Sequence, residues 1–253
     1  MELTHAQKLQ LLHDGWVKVP GVVPRIMVDR ALRAINNSMG EGIDPAQLTH
    51  FRSQSYCREL TEQPMITDLV RGTPAWSLVE SALGVERAPV PGYGQIALRF
   101  PSMADPPPRS GPHVDGTYSP HNGVKEGTLA SFTMLLAVLL SDLPTENCGN
   151  FQVWPGSHRI IAEHLKEHGA QTLIQGFNSL GIELPPPVQV TGCMGDIVIT
   201  HYQLAHTVAA NASPHIRYAI FFRISTHDHA EHRFEHVVDL WRDWPGIRAV
   251  ASK

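Results

Sequence analysis

A chain of 253 residues with 42% hydrophobic and 17% charged residues has enough apolar material for one large folded domain, and too much for a disordered one. A formal net charge of -4 leaves no electrostatic footprint for nucleic acid or an anionic membrane, and the longest apolar run, Phe132 to Leu140, falls far short of the ~20 residues that span a bilayer. Three widely spaced cysteines, Cys57, Cys148 and Cys193, suggest reduced thiols rather than a disulfide framework, so the cytoplasm is the default compartment.

The polar opening, Met1 to Lys8, has no charged-then-apolar leader. Apolar residues at helical spacing predict a helix over Leu3 to His13. Trp16 to Val19 alternates like a strand, and Pro24 opens a second helix through about Asn36. Pro74 to Leu83 reads as a further helix, with Gly84 after its end.

From Gln95 the texture changes to short strands between Gly and Pro. Gln95 to Phe100 is the first, and the Pro-rich stretch Ser102 to Gly111 connects it to the next motif. Leu129 to Leu140 is predicted as a buried strand and Asn150 to Trp154 as another, with Trp154 in the core. Ser157 is expected to cap a helix over Arg159 to His168. Late strands are expected at Val188 to Thr191, Asp196 to Thr200 and Ile216 to Ile224. Many short strands with regular turns indicate an antiparallel sandwich or barrel.

The chemistry resides in His113-Val114-Asp115 and His206. In a strand, residues i and i+2 point the same way, so His113 and Asp115 can reach one metal while Val114 faces away. Two imidazoles and one carboxylate bind non-haem Fe(II) on one face and leave the other open. Arg217 follows His206 by eleven positions, with the turn formers Asn211 to Pro214 between them. A hairpin reversing near Asn211 and Ala212 would make His206 and Arg217 cross-strand neighbours. The guanidinium could then grip a dicarboxylate beside the metal. Tyr118 and His121, just after the motif, are candidate substrate-pocket residues.

The remaining histidines read more simply. His158 and His201 suit structural hydrogen bonds. The dense His227 to His236 run is expected to be a solvated C-terminal segment, although His232 and His236 share a helical face.

Four ordered blocks resemble the phytanoyl-CoA dioxygenase family across roughly residues 10 to 225. They are Gly15 to Val22, Gly111 to Gly116, Asn147 to Arg159, and Gly195 to His201 followed by His206 and Arg217. The resemblance implies a mainly β fold with peripheral α-helices: a cupin-like, double-stranded β-helix of jelly-roll type with N-terminal helices packed outside. It divides a single domain into a helical part (about 1–85), a β-helix core (about 88–225) and a C-terminal extension (226–253).

It also implies an Fe(II)-dependent enzyme using O2 and 2-oxoglutarate as cosubstrate. Such an enzyme hydroxylates a small or lipid-like organic molecule with release of succinate and CO2. His113, Asp115 and His206 would be the metal ligands and catalytic centre, and Arg217 would bind the cosubstrate with Gln95 or Thr207. Members often carry a serine two residues after the distal histidine, and Val208 stands there instead. Related halogenases replace the carboxylate ligand with a small residue, so an intact Asp115 argues for hydroxylation, or for desaturation or ring formation. The expected partner is a small-molecule substrate, with neither nucleic acid nor membrane. Two other readings stay open: a cupin-like metal enzyme that does not use 2-oxoglutarate, and a catalytically silent binding module.

Overall fold

A computed structural model describes residues 1–251. Among them no helix is long and apolar enough to cross a membrane, and the three cysteines are free. The first helix, α1 (His5–Asp14), starts where Thr4 and Gln7 cap each other reciprocally and stops at Gly15, whose φ of 80° few side chains tolerate. Strand β1 (Trp16–Val19) and helix α2 (Arg25–Met39) follow as the sequence predicts. Two short helices, α3 (Leu48–Ser53) and α4 (Pro64–Arg71), and the 3-10 turns around them were not expected. Helix α5 (Ala75–Leu83) completes the N-terminal layer.

The core is built from eight strands. β2 (Gln95–Arg99), β3 (Met134–Leu139), β6 (Ile197–His201) and β8 (Arg217–Ile224) join β1 in one antiparallel sheet, in the order β1-β6-β3-β8-β2. β4 (Phe151–Val153), β5 (Val188–Gln189) and β7 (His206–Val208) form a second antiparallel sheet, in the order β5-β4-β7.

Period-two alternation explains the layers. On one face of the large sheet Ile96, Leu136, Val138, Ile199, Ile220 and Phe222 pack against the N-terminal helices through Leu11, Ile35, Leu69 and Leu78. On the other, Leu135, Ala137, Val198, Ala219 and Phe221 meet Phe151 and Val153 of the small sheet. β3 is buried on both faces, so every residue in it is apolar. This is the expected jelly roll, a double-stranded β-helix with helices packed outside.

Some boundaries differ. The predicted strand over Leu129 to Leu140 is regular only from Met134, since Gly116 and Lys125 carbonyls take the Ala130 and Thr128 amides. Ser157 is not the cap of α6 (Ser157–His168) but its first residue; Gly156 precedes it, and the Ser157 hydroxyl accepts from the Ala205 amide instead.

The larger correction concerns the C-terminus. Beyond Ile224 the chain is not a solvated histidine run: His229, His236, Val237, Asp243, Trp244 and Ile247 are all buried. Helices α7 (Arg233–His236) and α8 (Pro245–Ala251) return over the barrel, and α8 packs on α1 and α5. His232 is less deeply placed and pairs with Glu235.

Trp241 packs edge-on against both His158 and His201, and Trp244 stacks on His201. His201 Nε2 donates to the Leu240 carbonyl and Nδ1 accepts from the Gln203 amide; His158 Nε2 donates to Leu12. The structural role expected of these two histidines is the one they have. Trp154 is likewise buried.

Burial pushes the His201 pKa down to about 4, although the Leu240 carbonyl opposes it, and drives His158 well below the ordinary range. Both are therefore neutral in the fold, while the unfolded chain takes up protons below its ordinary value near 6.5. Stability should fall as pH drops from about 6.5 towards 4, by up to about 1.4 kcal/mol per pH unit for each histidine. Urea midpoints measured across this window check it; a flat profile contradicts the assignment.

Candidate active site

Two backbone hydrogen bonds create the site. His113 N–H donates to the His206 carbonyl and His206 N–H to the His113 carbonyl, each at 3.0 Å, making a closed antiparallel bridge at the edge of the small sheet. Val114 turns the other way and is buried, as the alternation requires. Gly116 then reverses the chain at φ 81°; a Cβ there would collide with the Ala130 carbonyl. Its own carbonyl accepts from the Ala130 amide.

The three side chains converge. Asp115 Oδ1 lies 3.5 Å from His113 Nε2 and 3.7 Å from His206 Nε2, and one donor atom from each residue falls within 4.8 Å of the others. These separations exceed the 2.7–2.9 Å typical of a charge-assisted hydrogen bond, so the three atoms surround an ion-sized gap rather than bonding to one another. His206 Nδ1 lies 2.9 Å from the Leu204 carbonyl, which can only accept. The proton is thereby fixed on Nδ1 and the Nε2 lone pair is directed at the gap.

The guanidinium beside this constellation is Arg223. Its Nε and Nη2 donate to Asp115 Oδ2 at 3.0 and 2.6 Å, and Nη1 donates to Gln95 Oε1 at 2.7 Å. Burial alone would raise the Asp115 pKa. Arg223, with His113 and His206, outweighs that and holds the carboxyl well below the usual range. Oδ2 is thus occupied by Arg223 and Oδ1 is left for the gap. Sequence reasoning missed Arg223, yet period two from Arg217 puts residues 217, 219, 221 and 223 on one face of β8, and an arginine within Tyr218 to Ile224 was a visible signal.

Arg217 does not sit opposite His206. β7 pairs with β4, whereas β8 pairs with β2 and β3, so the expected hairpin does not form and the two residues lie in different sheets. Asn211 instead bridges to Cys148, and its side chain ties Arg99 and His215 carbonyls together. Arg217 is buried; its Nε donates to the Gly149 carbonyl at 2.8 Å and Nη1 to the Ala97 carbonyl at 3.0 Å. It stands in register with Arg99, and Gly149 covers both stems; a Cβ there would come within 3.0 Å of Arg99. Burial, then Arg99, lower the Arg217 pKa to about 10, which leaves it charged at neutral pH.

A cavity of about 300 Å3 opens beside the histidines. Gln95, Thr207 and Val208 line it with Arg52, Arg223 and an apolar wall of Leu135, Phe151 and Phe221. A second space of about 340 Å3 adjoins His113 and Asp115, lined by Thr117, Tyr118, Ser119, Gln175, Phe177 and Asn178. Tyr118, a candidate substrate-pocket residue, lines this second space. His121 is exposed and lines neither space; Asn122 does, held by bonds to Thr117, Ser119 and Val124 within the same turn.

The fold and the constellation together define a jelly-roll protein with two imidazoles and a carboxylate at the mouth of its barrel. Residues 12–219 match the sequence model of the phytanoyl-CoA dioxygenase (PhyH) family, and the chain belongs to that family. No curated protein matches it. Among solved structures it is similar to HygX from Streptomyces hygroscopicus with nickel and 2-oxoglutarate bound, at 16% identity and a TM-score of 0.59 over 90% of this chain and 88% of that one. It is also similar to SnoK, a non-heme alpha ketoglutarate dependent carbocyclase from nogalamycin biosynthesis, at 19% identity and a TM-score of 0.51 over 91% and 90%. SnoN, an epimerase of the same biosynthesis, matches at 22% identity and a TM-score of 0.51 over 87% and 80%.

The Arg223 fork should set the ionisation of Asp115. In metal-free protein, Arg223→Met is expected to raise the Asp115 carboxyl titration midpoint by at least about one unit. Carbon-detected NMR titration reads this directly, and an unchanged midpoint would show that the histidines alone hold the charge.

Proposed function

We propose that this protein is an Fe(II)/2-oxoglutarate-dependent oxygenase that hydroxylates a small organic molecule, releasing succinate and CO2. The observation that carries the reading is the convergence of His113 Nε2, His206 Nε2 and Asp115 Oδ1 on one gap at an open cavity. The donor set fits the metal: two imidazole nitrogens and one carboxylate oxygen, with the other oxygen paired with Arg223. When bound, Fe(II) with 2-oxoglutarate and O2 supplies the oxidising chemistry.

The chain's own residues then have three tasks. His113, Asp115 and His206 hold the metal on one side, and His206 is kept in its ligating tautomer by the Leu204 carbonyl. Arg217 and Arg99 receive the far carboxylate of the cosubstrate. Neither has an acidic partner among the described residues, and Arg217 Nη2 has no hydrogen-bond partner there. Gln95 and Thr207 line the cavity beside the histidines, as does Ala97, whose carbonyl accepts from Arg217. The apolar wall of Leu135, Phe151 and Phe221 limits water at the reacting side.

The substrate is assigned to the adjoining space, where hydroxyl, amide and phenol groups outnumber the apolar Val114 and Phe177. That lining suits a compact, hydrogen-bonding molecule better than a long acyl chain. Intact Asp115 supports hydroxylation. Two neighbours of the same fold are named a carbocyclase and an epimerase, so ring closure and inversion are the competing outcomes of the same ligand set.

With a substrate in hand, His113→Ala or His206→Ala is expected to abolish succinate formation. Arg217→Gln should raise the 2-oxoglutarate KM tenfold or more, as loss of a charged hydrogen bond worth about 1.5–3 kcal/mol implies. Succinate and product quantified by mass spectrometry test both points. Turnover unchanged in either histidine variant removes the ligand assignment, and activity indifferent to 2-oxoglutarate favours the cupin-like reading.

A further inference from the structure

A second group of metal-type ligands is buried at the end of the β3–β8 ladder, where the C-terminal segment returns. His229, His236 and Asp243 are 3%, 7% and 2% exposed, and one ligand atom from each lies within 4.8 Å of the others. Thr133, just before β3, completes the group. His236 Nδ1 and His229 Nδ1 lie 3.2 and 3.5 Å from Asp243 Oδ2; Thr133 Oγ1 lies 3.2 Å from His229 Nδ1 and 3.4 Å from Asp243 Oδ2. The two histidine–carboxylate separations are longer than charge-assisted hydrogen bonds, and the Thr133 hydroxyl, which accepts from the Thr226 amide at 3.1 Å, makes weak hydrogen bonds to the other two. Four atoms at the corners of a tetrahedron around an ion, with bonds of about 2.0–2.1 Å, stand about 3.3 Å apart, and these four edges match that spacing. A void of about 10 Å3 is lined by these four residues together with His201, Tyr202 and an apolar surround of Phe132, Leu240 and Trp244.

The surroundings ask for a cation. Asp243 Oδ1 and His236 Nε2 are buried without a hydrogen-bond partner, and the guanidinium of Arg87 stays 3.9 Å away. A buried carboxylate and a buried imidazole, each with one polar atom left without a hydrogen bond among the described residues, are groups that a divalent ion between them would compensate. The supporting contacts resemble those that orient metal ligands: Ser131 Oγ engages His229 Nε2 at 2.9 Å, which turns Nδ1 inward, and Thr226 Oγ1 donates to Asp243 Oδ2 at 2.7 Å. The imidazole planes lie 3° from parallel with centroids 4.4 Å apart, so one ring must turn for both lone pairs to meet a common ion. His236 can turn at the end of a four-residue helix without sacrificing any bond at Nε2.

We propose that His229, His236 and Asp243, with Thr133 at the fourth corner, form a second cation site that takes a borderline divalent ion of the zinc class and fastens the C-terminal segment to the barrel. The site is separate from the constellation at His113, and the test separates them. Protein carrying His113→Ala and Asp115→Ala, stripped of metal, is titrated with Co(II) and then with Zn(II). It is expected to bind about one equivalent, to show the intense visible bands of tetrahedral Co(II), and to lose them on Zn(II) addition. Adding His236→Gln should weaken binding at least tenfold. Should that variant not fold, X-ray absorption of the zinc-loaded parent decides: two imidazoles and oxygen around the ion support the site. Sulfur or solvent ligation, or less than about a tenth of an equivalent bound, overturns it.

Discussion

The closed pair of backbone bonds between His113 and His206 is the constraint on which the rest of the site depends. It joins residues far apart in sequence, and its partner strand β7 is itself paired with β4 in the small sheet. Once it forms, two imidazoles are side by side with no freedom of register, because a slip by one residue would turn each to the opposite face. Gly116 completes the arrangement by reversing the chain directly after Asp115, in a conformation where a Cβ would strike Ala130. The geometry at the mouth thus follows from backbone pairing, and the side chains inherit it.

Electrostatics then divides the barrel interior. Near the mouth, one carboxylate is kept ionised by one guanidinium, so the ligand set carries charge ready for a cation. Arg217 and Arg99 share a register position with no acidic partner among the described residues, and Arg52 lines the cavity beside the histidines. Like charges placed together in a partly desolvated space are unfavourable unless an anion joins them. A dicarboxylate that reaches from the metal gap to these arginines would satisfy both ends at once. The fold is shared with proteins named for carbocyclisation and epimerisation as well as with HygX, so the lining of the adjoining space, more than the fold, must choose the outcome.

Much of this was legible in the sequence. Period-two spacing put His113 and Asp115 on one face with Val114 opposite, and the four ordered blocks gave the jelly roll. Failures came where local signals compete with long-range pairing. Turn formers at Asn211 to Pro214 suggested a hairpin, but the chain there crosses from one sheet to the other, and Asn211 serves as a tie between segments rather than a turn residue. Arg223 was hidden because an exposed edge and a cavity wall look alike in an alternating pattern. The C-terminal histidines looked solvated because polarity was read without the partners, Thr133, Thr226 and Asp243, that make their burial tolerable. Short helices such as α4 carry too few turns for periodicity to declare them.

The central claim is that the gap between His113, Asp115 and His206 holds Fe(II) together with 2-oxoglutarate. The most direct measurement is anaerobic: Fe(II) and 2-oxoglutarate are added to metal-free protein, and the visible spectrum is searched for the weak charge-transfer band of the chelate. The band should appear in the native protein and vanish in His113→Ala. Iron bound at the site with no band on adding 2-oxoglutarate would contradict the account and leave Arg217 a structural tie between the Gly149 and Ala97 carbonyls.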